Sequence, residues 1–494
     1  MENFYHSIYL DKDLCKGCLN CIKRCPTQAI RVRNGKAVIN NKFCIDCGEC
    51  IRICPHYAKL AKRDTMEILE KYEYTVALPA PSLYTQFNNI KDINLILNAL
   101  LSLGFDDVFE VSAAAELVSE ATIKYIAEHK EQWPIISSAC PSIVRLVRVR
   151  FPNLIEHLLP IKPPVEIAAE MALKKVAEKT GLPRNKIGII FITPCPAKVT
   201  YSKEPLGIEK SEIDGVLAIK DIYPLLLEAL NDTAKEYQDS DMPNLSESGK
   251  IGIGWSVSGG ESNGIVSDNY LAADGITNVI KVLENLEDER FSGLNFIELN
   301  ACAGGCVGGV LTVENPYIAQ TKNKRLKKYL PVKVSSFNNR STTIYSEDVD
   351  FGYNKEIVYE PVFRIGNNVI EGINNLNAVE KIVDLFPGLD CGSCGAPTCR
   401  ALAEDIVRGE ASDTACIHIF KEYFNFLTLQ LSNLTQNMSN AKDAGSSIAN
   451  LEQSLTGFFN KDAAASGPAE AKESDEKAES TDKKKKKDSP KKKS

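Results

Sequence analysis

The sequence lacks the features that would place the chain in a membrane, outside the cell or on nucleic acid. It has no run of eighteen or more apolar residues, which argues against a membrane-spanning helix. Its N-terminal stretch, MENFYHSIYLDKDLC, includes no apolar signal-peptide segment and no twin-arginine pair, so we expect a cytoplasmic protein. The net charge of -7 over 494 residues is modest and gives no general signal of nucleic-acid binding.

Cysteine, by contrast, is abundant. The 494 residues suffice for about three domains of ~150 residues each, and a hydrophobic fraction of 44% predicts a sizeable core. The 16 cysteines are not expected to form disulfides, because cytoplasmic thiols stay reduced. Their tight, repeated spacing instead indicates metal ligation, in four sets that could each hold one 4Fe–4S cubane. Since solvent-touching clusters are oxygen-labile, we expect an anaerobic setting.

Residues 1–70 are predicted to form a ferredoxin-like α+β domain with two clusters. Two runs share the spacing C-x2-C-x2-C-x3-C-P, in which the fourth cysteine of each run ligates the other cluster. The first cluster is therefore assigned to Cys15, Cys18, Cys21 and Cys54, and the second to Cys44, Cys47, Cys50 and Cys25. The alternative, a pair of zinc knuckles, is disfavoured because the doubled Cys-Pro motif is specific.

Residues 71–375 are predicted to form an α/β domain. Strand-like runs at 74–80, 107–112, 134–140, 186–195, 250–260 and 295–302 are separated by segments of helical period at 93–105, 114–129 and 142–151. This alternation predicts largely parallel sheets, whose ligands sit at the carboxyl ends of the strands. Cys140, Cys195 and Cys302 all follow such strands, and Cys306 completes their set.

Residues 376–430 are predicted to form a small C-terminal iron–sulfur domain. Cys391, Cys394, Cys399 and Cys416 have the spacing C-x2-C-x4-C-x16-C. Gly392 and Gly395 would let the backbone fold closely around sulfides, and this favours a cubane over the alternative zinc site.

Residues 431–494 are predicted to be a helical segment followed by a disordered, Lys-rich tail. The apolar spacing over 424–456 leaves two interpretations open, a surface helix and a helix that pairs two copies into a homodimer. From about residue 460 the composition predicts disorder. The run Lys483–Lys487 is read as a solvated tail in preference to a site for nucleic acid or anionic lipid.

Three local motifs of the central domain resemble signatures of the iron-only hydrogenases. The family motifs TSCCP, MPCxxKxxE and ExMxCxxGCxxG are matched at Ser138–Pro141, Pro194–Lys198 and Glu298–Gly309. An APS element near the start of the family's catalytic domain is matched by Ala80, Pro81 and Ser82. The resemblance covers about residues 1–375, and the joint presence of the motifs is specific.

This resemblance implies an H-cluster, which is a 4Fe–4S cubane joined to a two-iron subsite carrying CO, cyanide and a bridging azadithiolate. By position, Cys140, Cys195, Cys302 and Cys306 would hold the cubane, with Cys306 as the bridging thiolate. Lys198 matches the family lysine that hydrogen-bonds a cyanide ligand. Ala80, Pro81 and Ser82 would line the pocket near the azadithiolate.

Four departures from the family pattern predict a slow enzyme. Ala139 replaces the cysteine that donates protons to the bridging amine, and Tyr201 replaces a glutamate further along that path. Thr193 and Asn300 replace two pocket methionines. With the added C-terminal cluster domain, these changes resemble the sensory branch of the family that lacks a PAS domain. Glu166, Glu261 and Tyr201 are conceivable detours for the proton.

Three functions follow from the resemblance. The first is a low-turnover hydrogenase that senses H2 or redox state, the second a metabolic ferredoxin-linked hydrogenase, and the third a hydrogenase-like protein without the two-iron subsite, as in cytosolic iron–sulfur assembly. The implied cofactors are an H-cluster and three additional 4Fe–4S clusters. The implied partners are H2 and protons as substrates, a ferredoxin or a regulatory kinase or phosphatase as redox partner, and hydrogenase maturation proteins.

Overall fold

The N-terminal cysteine runs lie on two short helices between antiparallel strands. The structure, a computed structural model, describes residues 5–88, 90, 92–236, 242–265, 269–288, 290–291, 293–332, 349–362, 365–439 and 453. The first elements are β1 (Ile8–Leu10), α1 (Asn20–Arg24), β2 (Ile30–Arg33), β3 (Lys36–Ile39), α2 (Glu49–Arg52) and β4 (Lys59–Ala61). Strand β1 pairs with β4 and β2 pairs with β3, both antiparallel. Asn34 and Gly35, both with positive φ, form the tight turn that joins β2 to β3.

A four-stranded parallel sheet forms the first half of the central unit. Its strands are β5 (Tyr74–Pro79), β6 (Asp107–Val108), β8 (Ile187–Thr193) and β9 (Gly215–Ala218), in the order β6-β5-β8-β9. Every residue of β8 is buried, because helices cover both faces of the sheet and leave no solvated side. A continuous apolar run such as IGIIFIT is the sequence signature of such a strand.

A second, three-stranded parallel sheet completes the central unit. Its strands are β7 (Ile135–Ile136), β10 (Tyr270–Asp274) and β11 (Phe296–Asn300), in the order β10-β11-β7. The helices of this unit are α3 (Ile93–Ser102), α4 (Val111–Glu128), α5 (Pro141–Arg150), α6 (Pro164–Thr180), α7 (Pro196–Lys203), α8 (Ile219–Glu236), α9 (Lys250–Gly254), α10 (Gly260–Ile265), α11 (Ile276–Glu287) and α12 (Pro316–Lys327). The predicted α/β class is therefore confirmed, with parallel pairing throughout both central sheets.

The predicted strand at 250–260 is wrong. This segment forms helix α9, a turn and the start of α10. Alternating Ile and Gly looks strand-like, but the glycines serve close packing instead. A Cβ at Gly252 would lie 2.0 Å from the carbonyl oxygen of Ser112, so only glycine lets α9 pack this tightly against α4. Strands β9 and β10 were not predicted from the sequence.

The C-terminal unit consists of three helices and lies against the N-terminal unit. They are α13 (Val369–Leu385), α14 (Cys399–Val407) and α15 (Ile417–Ser439), and α13 runs through the predicted domain boundary at residue 375. The carboxylate of Asp405, buried on α14, accepts hydrogen bonds from Arg31 at 2.7 and 3.0 Å and from Arg33 at 2.6 Å. The Val32 amide donates to the Gly395 carbonyl at 2.8 Å, so a backbone contact joins the two units as well.

Helix α15 exposes an apolar stripe. Ile417, Phe420, Phe424, Leu427 and Leu431 are exposed at alternating spacings of three and four residues. The surface-helix and homodimer interpretations of this segment both stay predictions. The predicted disordered tail, including Lys483–Lys487, lies outside the described residues. Among the residues that the structure describes, no helix is both long and apolar enough to cross a membrane.

Candidate metal centre

The four scattered cysteines of the central unit meet around one cavity. Cys140 and Cys195 are the N-cap residues of α5 and α7, each followed by a proline that suits the first helical position. Cys302 follows β11, and Cys306 opens a short 3-10 helix. All four line the same cavity at the carboxyl ends of the parallel strands. The structure therefore brings together the four thiols that the sequence predicted to form one ligand set.

The loop that carries Cys302 and Cys306 packs closely against the loop that carries Cys195. A Cβ at Gly309 would lie 2.2 Å from the carbonyl oxygen of Pro194, so a larger residue would push the two loops apart. The Leu311 amide donates to the same carbonyl at 3.0 Å. The glycine-rich sequence CAGGCVGG is therefore needed for the approach of these thiols.

Burial makes isolated thiolates unfavourable in this cavity. It raises the pKa of Cys195 to about 12 and raises the pKa values of Cys140 and Cys302 as well. Thiols in such a site become good ligands only when positive charge is supplied, which iron does. The chain supplies one further charge, since Lys198 Nζ lies 3.6 Å from Cys306 Sγ.

Lys198 is a half-buried cation whose pKa reflects three of the four thiols. Burial by itself would lower the pKa of Lys198, but the negative charges of Cys306, Cys195 and Cys140 act in the opposite direction and the net shift is upward. Lys198 therefore keeps its charge in the cavity, where an ammonium can stabilise an anionic ligand.

The cavity extends beyond the thiols toward the residues of the predicted pocket. Its volume is about 70 Å³. Its lining includes Ala80, Pro81, Ser82, Ala139 and Asn300. The hydroxyl of Ser82 is buried and has no hydrogen-bond partner among the described residues, so a bound group could receive its hydrogen bond.

Thr193 differs from the other predicted pocket residues, because it does not line the cavity. Its hydroxyl accepts a hydrogen bond from the Cys195 amide at 3.3 Å. Thr193 therefore shapes the loop that presents the Cys195 thiol.

Two buried carboxylates complete the cavity wall. The hydroxyl of Ser137 donates to Glu261 at 2.6 Å, while Oε1 of Glu261 has no hydrogen-bond partner among the described residues. Burial, followed by the nearby charge of Glu298, raises the pKa of Glu261 to about 8. Glu298 is held by the amides of Gly259 and Ser262, at 2.9 Å each. Burial and the neighbouring carboxylate of Glu298 thus favour the protonated form of Glu261.

The other proton detours considered from the sequence do not line this cavity. Burial raises the pKa of Glu166 to about 7, but its carboxylate is bound by the Ser211 hydroxyl at 2.8 Å and the Glu212 amide at 2.6 Å. Tyr201 is buried, and its hydroxyl has no hydrogen-bond partner among the described residues. Ser137 and the pairing of Glu261 with Glu298 were missed, since residues 124 and 37 positions apart share no local pattern.

The N-terminal cysteines form two groups, as the predicted ligand exchange requires. Cys25 lines one cavity together with Cys44, Cys47 and Cys50. In the other group, Cys21 lies near enough to Cys18, Cys54 and Cys15 for their charges to act on it. The group that contains Cys47 adjoins the loops of the central site, because Gly48 packs against Val310 and Pro196 and Arg52 on α2 donates to the Gly308 carbonyl at 2.7 Å.

The four C-terminal cysteines also surround one small cavity. Cys391, Cys394, Cys399 and Cys416 all line it, and Cys391 is exposed while Cys416 is buried. Gly392 and Gly395 both have φ of +80°, a conformation that glycine adopts without strain. A cluster here would lie at the protein surface.

Replacing both Cys391 and Cys394 by serine should remove about four iron atoms per chain, since one cubane would lose half of its thiolates. Iron analysis of the purified full chain checks this, with Ser393→Ala as a control that leaves the ligands intact. Unchanged iron content in the double variant would show that these residues hold no cluster. Electron exchange with an external donor should slow at the same time.

The four cysteine sets and the two-sheet α/β unit define a multi-cluster iron–sulfur protein. A model described as iron only hydrogenase large subunit, C-terminal domain, matches residues 73–271 and 262–310. A 4Fe-4S dicluster model matches residues 7–55, and an Fe-S cluster model matches residues 386–418. This chain is an iron-only hydrogenase-like protein.

Its curated relatives include hydrogenases and assembly factors. Iron hydrogenase 1 of Clostridium pasteurianum is 24% identical over 372 residues, which are 61% of this chain and 64% of that protein. The NADP-reducing hydrogenase subunit HndD of Solidesulfovibrio fructosivorans is 26% identical over 43% of this chain and 44% of that one. The cytosolic Fe-S cluster assembly factor NAR1 of Meyerozyma guilliermondii is 26% identical over 37% of this chain and 38% of its own length. The chain thus spans less than two thirds of each of these relatives.

Solved structures similar to this chain include [FeFe]-hydrogenases. The structure of HydA(deltaEFG), described as revealing stepwise H-cluster assembly, has a TM-score of 0.46 and 15% identity, and the match covers 60% of this chain and 98% of that one. HydA1 from Chlamydomonas reinhardtii has a TM-score of 0.45 and 15% identity over 58% of this chain and 94% of its own.

Proposed function

We propose that this chain is an iron-only hydrogenase that interconverts protons, electrons and H2 slowly, as a sensor of H2 or redox state. One observation carries the proposal: a half-buried lysine and a serine hydroxyl without a partner among the described residues share the wall of the cavity with Cys306. Lys198 Nζ lies 3.6 Å from Cys306 Sγ, and Ser82, whose buried hydroxyl has no hydrogen-bond partner among the described residues, lines the same cavity. These groups suit anionic ligands beside the cubane, which cyanide on a two-iron subsite would provide.

The residues that would hold the cofactor are those that the motifs predicted. Cys140, Cys195, Cys302 and Cys306 would ligate the cubane, with Cys306 shared with the two-iron subsite. When bound, this group supplies the metal and the electrons for making or breaking the H–H bond. Lys198 would bind the anionic ligands, and Pro81 and Ser82 would exclude bulk water from their surroundings.

Glu261 is the proton carrier that the cavity offers in place of the missing cysteine. Burial and the charge of Glu298 raise the pKa of its carboxyl, which favours the protonated form, and its Oε1 has no partner among the described residues. Ser137 donates to its other oxygen and accepts a hydrogen bond from the Ala139 amide at 3.3 Å. This chain of contacts ends at the position where the family has its proton-donating cysteine. We propose that turnover persists through Glu261 at a reduced rate.

Three accessory clusters would carry electrons to and from the central site. The second N-terminal cluster adjoins it through the contact of Arg52 with Gly308, and the C-terminal unit is held on β2 by Asp405. Cys391 is exposed, so a ferredoxin or a regulatory partner could exchange electrons there.

A hydrogenase-like protein without the two-iron subsite is the second candidate. It is favoured by assembly-factor relatives that are as similar to this chain as the hydrogenases are, at 26% against 24% and 26% identity. Loss of the family cysteine at Ala139 also suits a site that no longer handles protons. The presence of Lys198 and of the unpaired Ser82 hydroxyl favours the hydrogenase.

Infrared spectroscopy separates the two candidates. The full chain produced together with hydrogenase maturation proteins should show bands of metal-bound CO and cyanide, because only a two-iron subsite carries those ligands. The same chain produced without maturation proteins is the control and should show none. If the matured chain has iron for four cubanes and still lacks the bands, the hydrogenase proposal fails and the second candidate is favoured.

A further inference from the structure

Lys59 is a buried lysine between the two N-terminal cysteine groups. It opens β4, where the alternation of a strand places Lys59 and Ala61 on the inner face and Leu60 on the outer one. Lys59 is 2% exposed, and its amine has no hydrogen-bond partner among the described residues. A buried ammonium without a partner is costly, so this position calls for a nearby negative charge.

The N-terminal unit contains an internal repeat, and only one of its two halves has a lysine at this position. The sequence CPTQAI ends at Ile30, and its repeat CPHYAK ends at Lys59. Local geometry repeats as well: the Ala29 amide donates to Cys25 Sγ at 3.1 Å, and the Ala58 amide donates to Cys54 Sγ at 3.3 Å. Ile30 is also 2% exposed. The two halves therefore place an isoleucine and a lysine at equivalent buried positions.

The negative charge near Lys59 would come from the cysteine ligands and the cluster that they hold. The amide of Ala58, next to Lys59 in the chain, donates to Cys54 Sγ of the first ligand group at 3.3 Å. Burial raises the pKa values of Cys21 and Cys50, and the charge of Lys59 acts in the opposite direction on both of them and on Cys15. Cys15 and Cys21 belong to the first ligand group and Cys50 to the second. A cubane with four thiolates is anionic and gains a further negative charge when it is reduced. The cluster potential depends on such nearby charges.

We propose that Lys59 raises the reduction potential of the first N-terminal cluster above that of the second. The ammonium stabilises the added electron by Coulomb attraction, which is strong in a buried site. The first cluster then retains one electron, while the second, which adjoins the central cavity, passes electrons on. This inference goes beyond the proposed function, because it rests on the two N-terminal clusters and holds whichever chemistry the central site performs.

The test is a potentiometric titration of the full chain followed by electron paramagnetic resonance. In Lys59→Met, which keeps the length of the side chain, one N-terminal midpoint potential should fall and the second should fall by less. Lys59→Ile, which copies the residue of the other half, should give the same result. A Cys18→Ala variant, which removes a ligand of the first cluster, shows which redox step belongs to that cluster. The step that is missing from the titration of this variant should be the one that shifts most in the Lys59 variants.

Lys12→Met is the matched control, since it removes an exposed lysine from the same unit and should leave every midpoint in place. Iron content equal to that of the unaltered chain shows that the variants hold their clusters. The proposal is overturned if no N-terminal midpoint moves in either Lys59 variant at full iron content. Equal shifts in both N-terminal clusters would overturn it too, as would a larger shift at the central or C-terminal cluster.

Discussion

The Cys306→Ser variant should lose hydrogen turnover completely. Cys306 Sγ lies 3.6 Å from Lys198 Nζ, and Cys306 lines the same cavity as Pro81 and Ser82. In the proposed function its sulfur joins the cubane to the two-iron subsite, and an alcohol is a poor bridging ligand for iron. Hydrogen evolution from a chemical reductant measures the loss, and infrared bands of CO and cyanide should vanish with it.

The accessory clusters provide the control for this variant. Their reduced paramagnetic signals should survive in Cys306→Ser, because their ligands lie in other units. Cys391→Ser changes a cysteine in the same way but at the C-terminal site, so it should keep measurable turnover and both infrared ligand bands. Full activity of Cys306→Ser would refute the assignment of the central site as an H-cluster.

The Glu261→Gln variant should lower hydrogen turnover by ~10²–10⁴-fold, which is the usual contribution of a positioned proton donor or acceptor. Glutamine keeps the shape and can still accept a hydrogen bond from Ser137, but it cannot release a proton. Because Ala139 carries no ionisable group, no substitute proton carrier stands at the family's cysteine position. Turnover and the infrared bands measured on the same preparation separate slow proton transfer from failed cofactor assembly.

Glu166→Gln is the matched control for the glutamate substitution. Glu166 is another buried glutamate with a raised pKa, but it does not line the cavity and is held by Ser211 and Glu212. Its replacement should leave turnover within a few-fold of the unaltered chain. Equal turnover in Glu261→Gln and the unaltered chain would exclude Glu261 as the proton carrier. A loss of turnover confined to Glu166→Gln would place the proton path at Glu166.

The pH dependence of both activity and stability should change in Glu261→Gln. Burial raises the pKa of Glu261 from 4.5 to about 8, so the folded protein holds this proton below pH 8. The unaltered chain should therefore evolve hydrogen more slowly as the pH rises through that value. Because the folded state binds the proton more tightly than the unfolded state, the free energy of unfolding should also fall as the pH rises from about 4.5 to 8. The glutamine variant should lack both of these contributions.

The N-terminal and C-terminal cysteine groups were predicted from spacing alone because their ligands are close in the chain. A C-x2-C-x2-C run places three thiolates on one turn, whatever the rest of the fold does. The structure gathers Cys25 with Cys44, Cys47 and Cys50, and it gathers the four C-terminal thiols, as that spacing predicted. The parallel α/β class followed in the same way from apolar runs such as that of β8, which needs no distant partner to be recognised.

Other features depended on tertiary contacts. The segment at 250–260 was predicted as a strand from its alternation of Ile and Gly, yet it forms α9, a turn and the start of α10, with Gly252 packed closely against α4. Thr193 was expected in the pocket by alignment with a family methionine, whereas the fold turns its hydroxyl toward the Cys195 amide. Local sequence specifies neither of these contacts.

The sequence by itself determined the cysteine sets, the α/β class and the resemblance to iron-only hydrogenases, because each depends on short-range spacing. Only the tertiary structure decided which groups surround the thiols. It brought Ser137 to Glu261, set Glu261 beside Glu298, and buried Lys59 between two cysteine groups. The charge of such groups depends on burial and on neighbours distant in the chain, and burial is a property of the folded molecule.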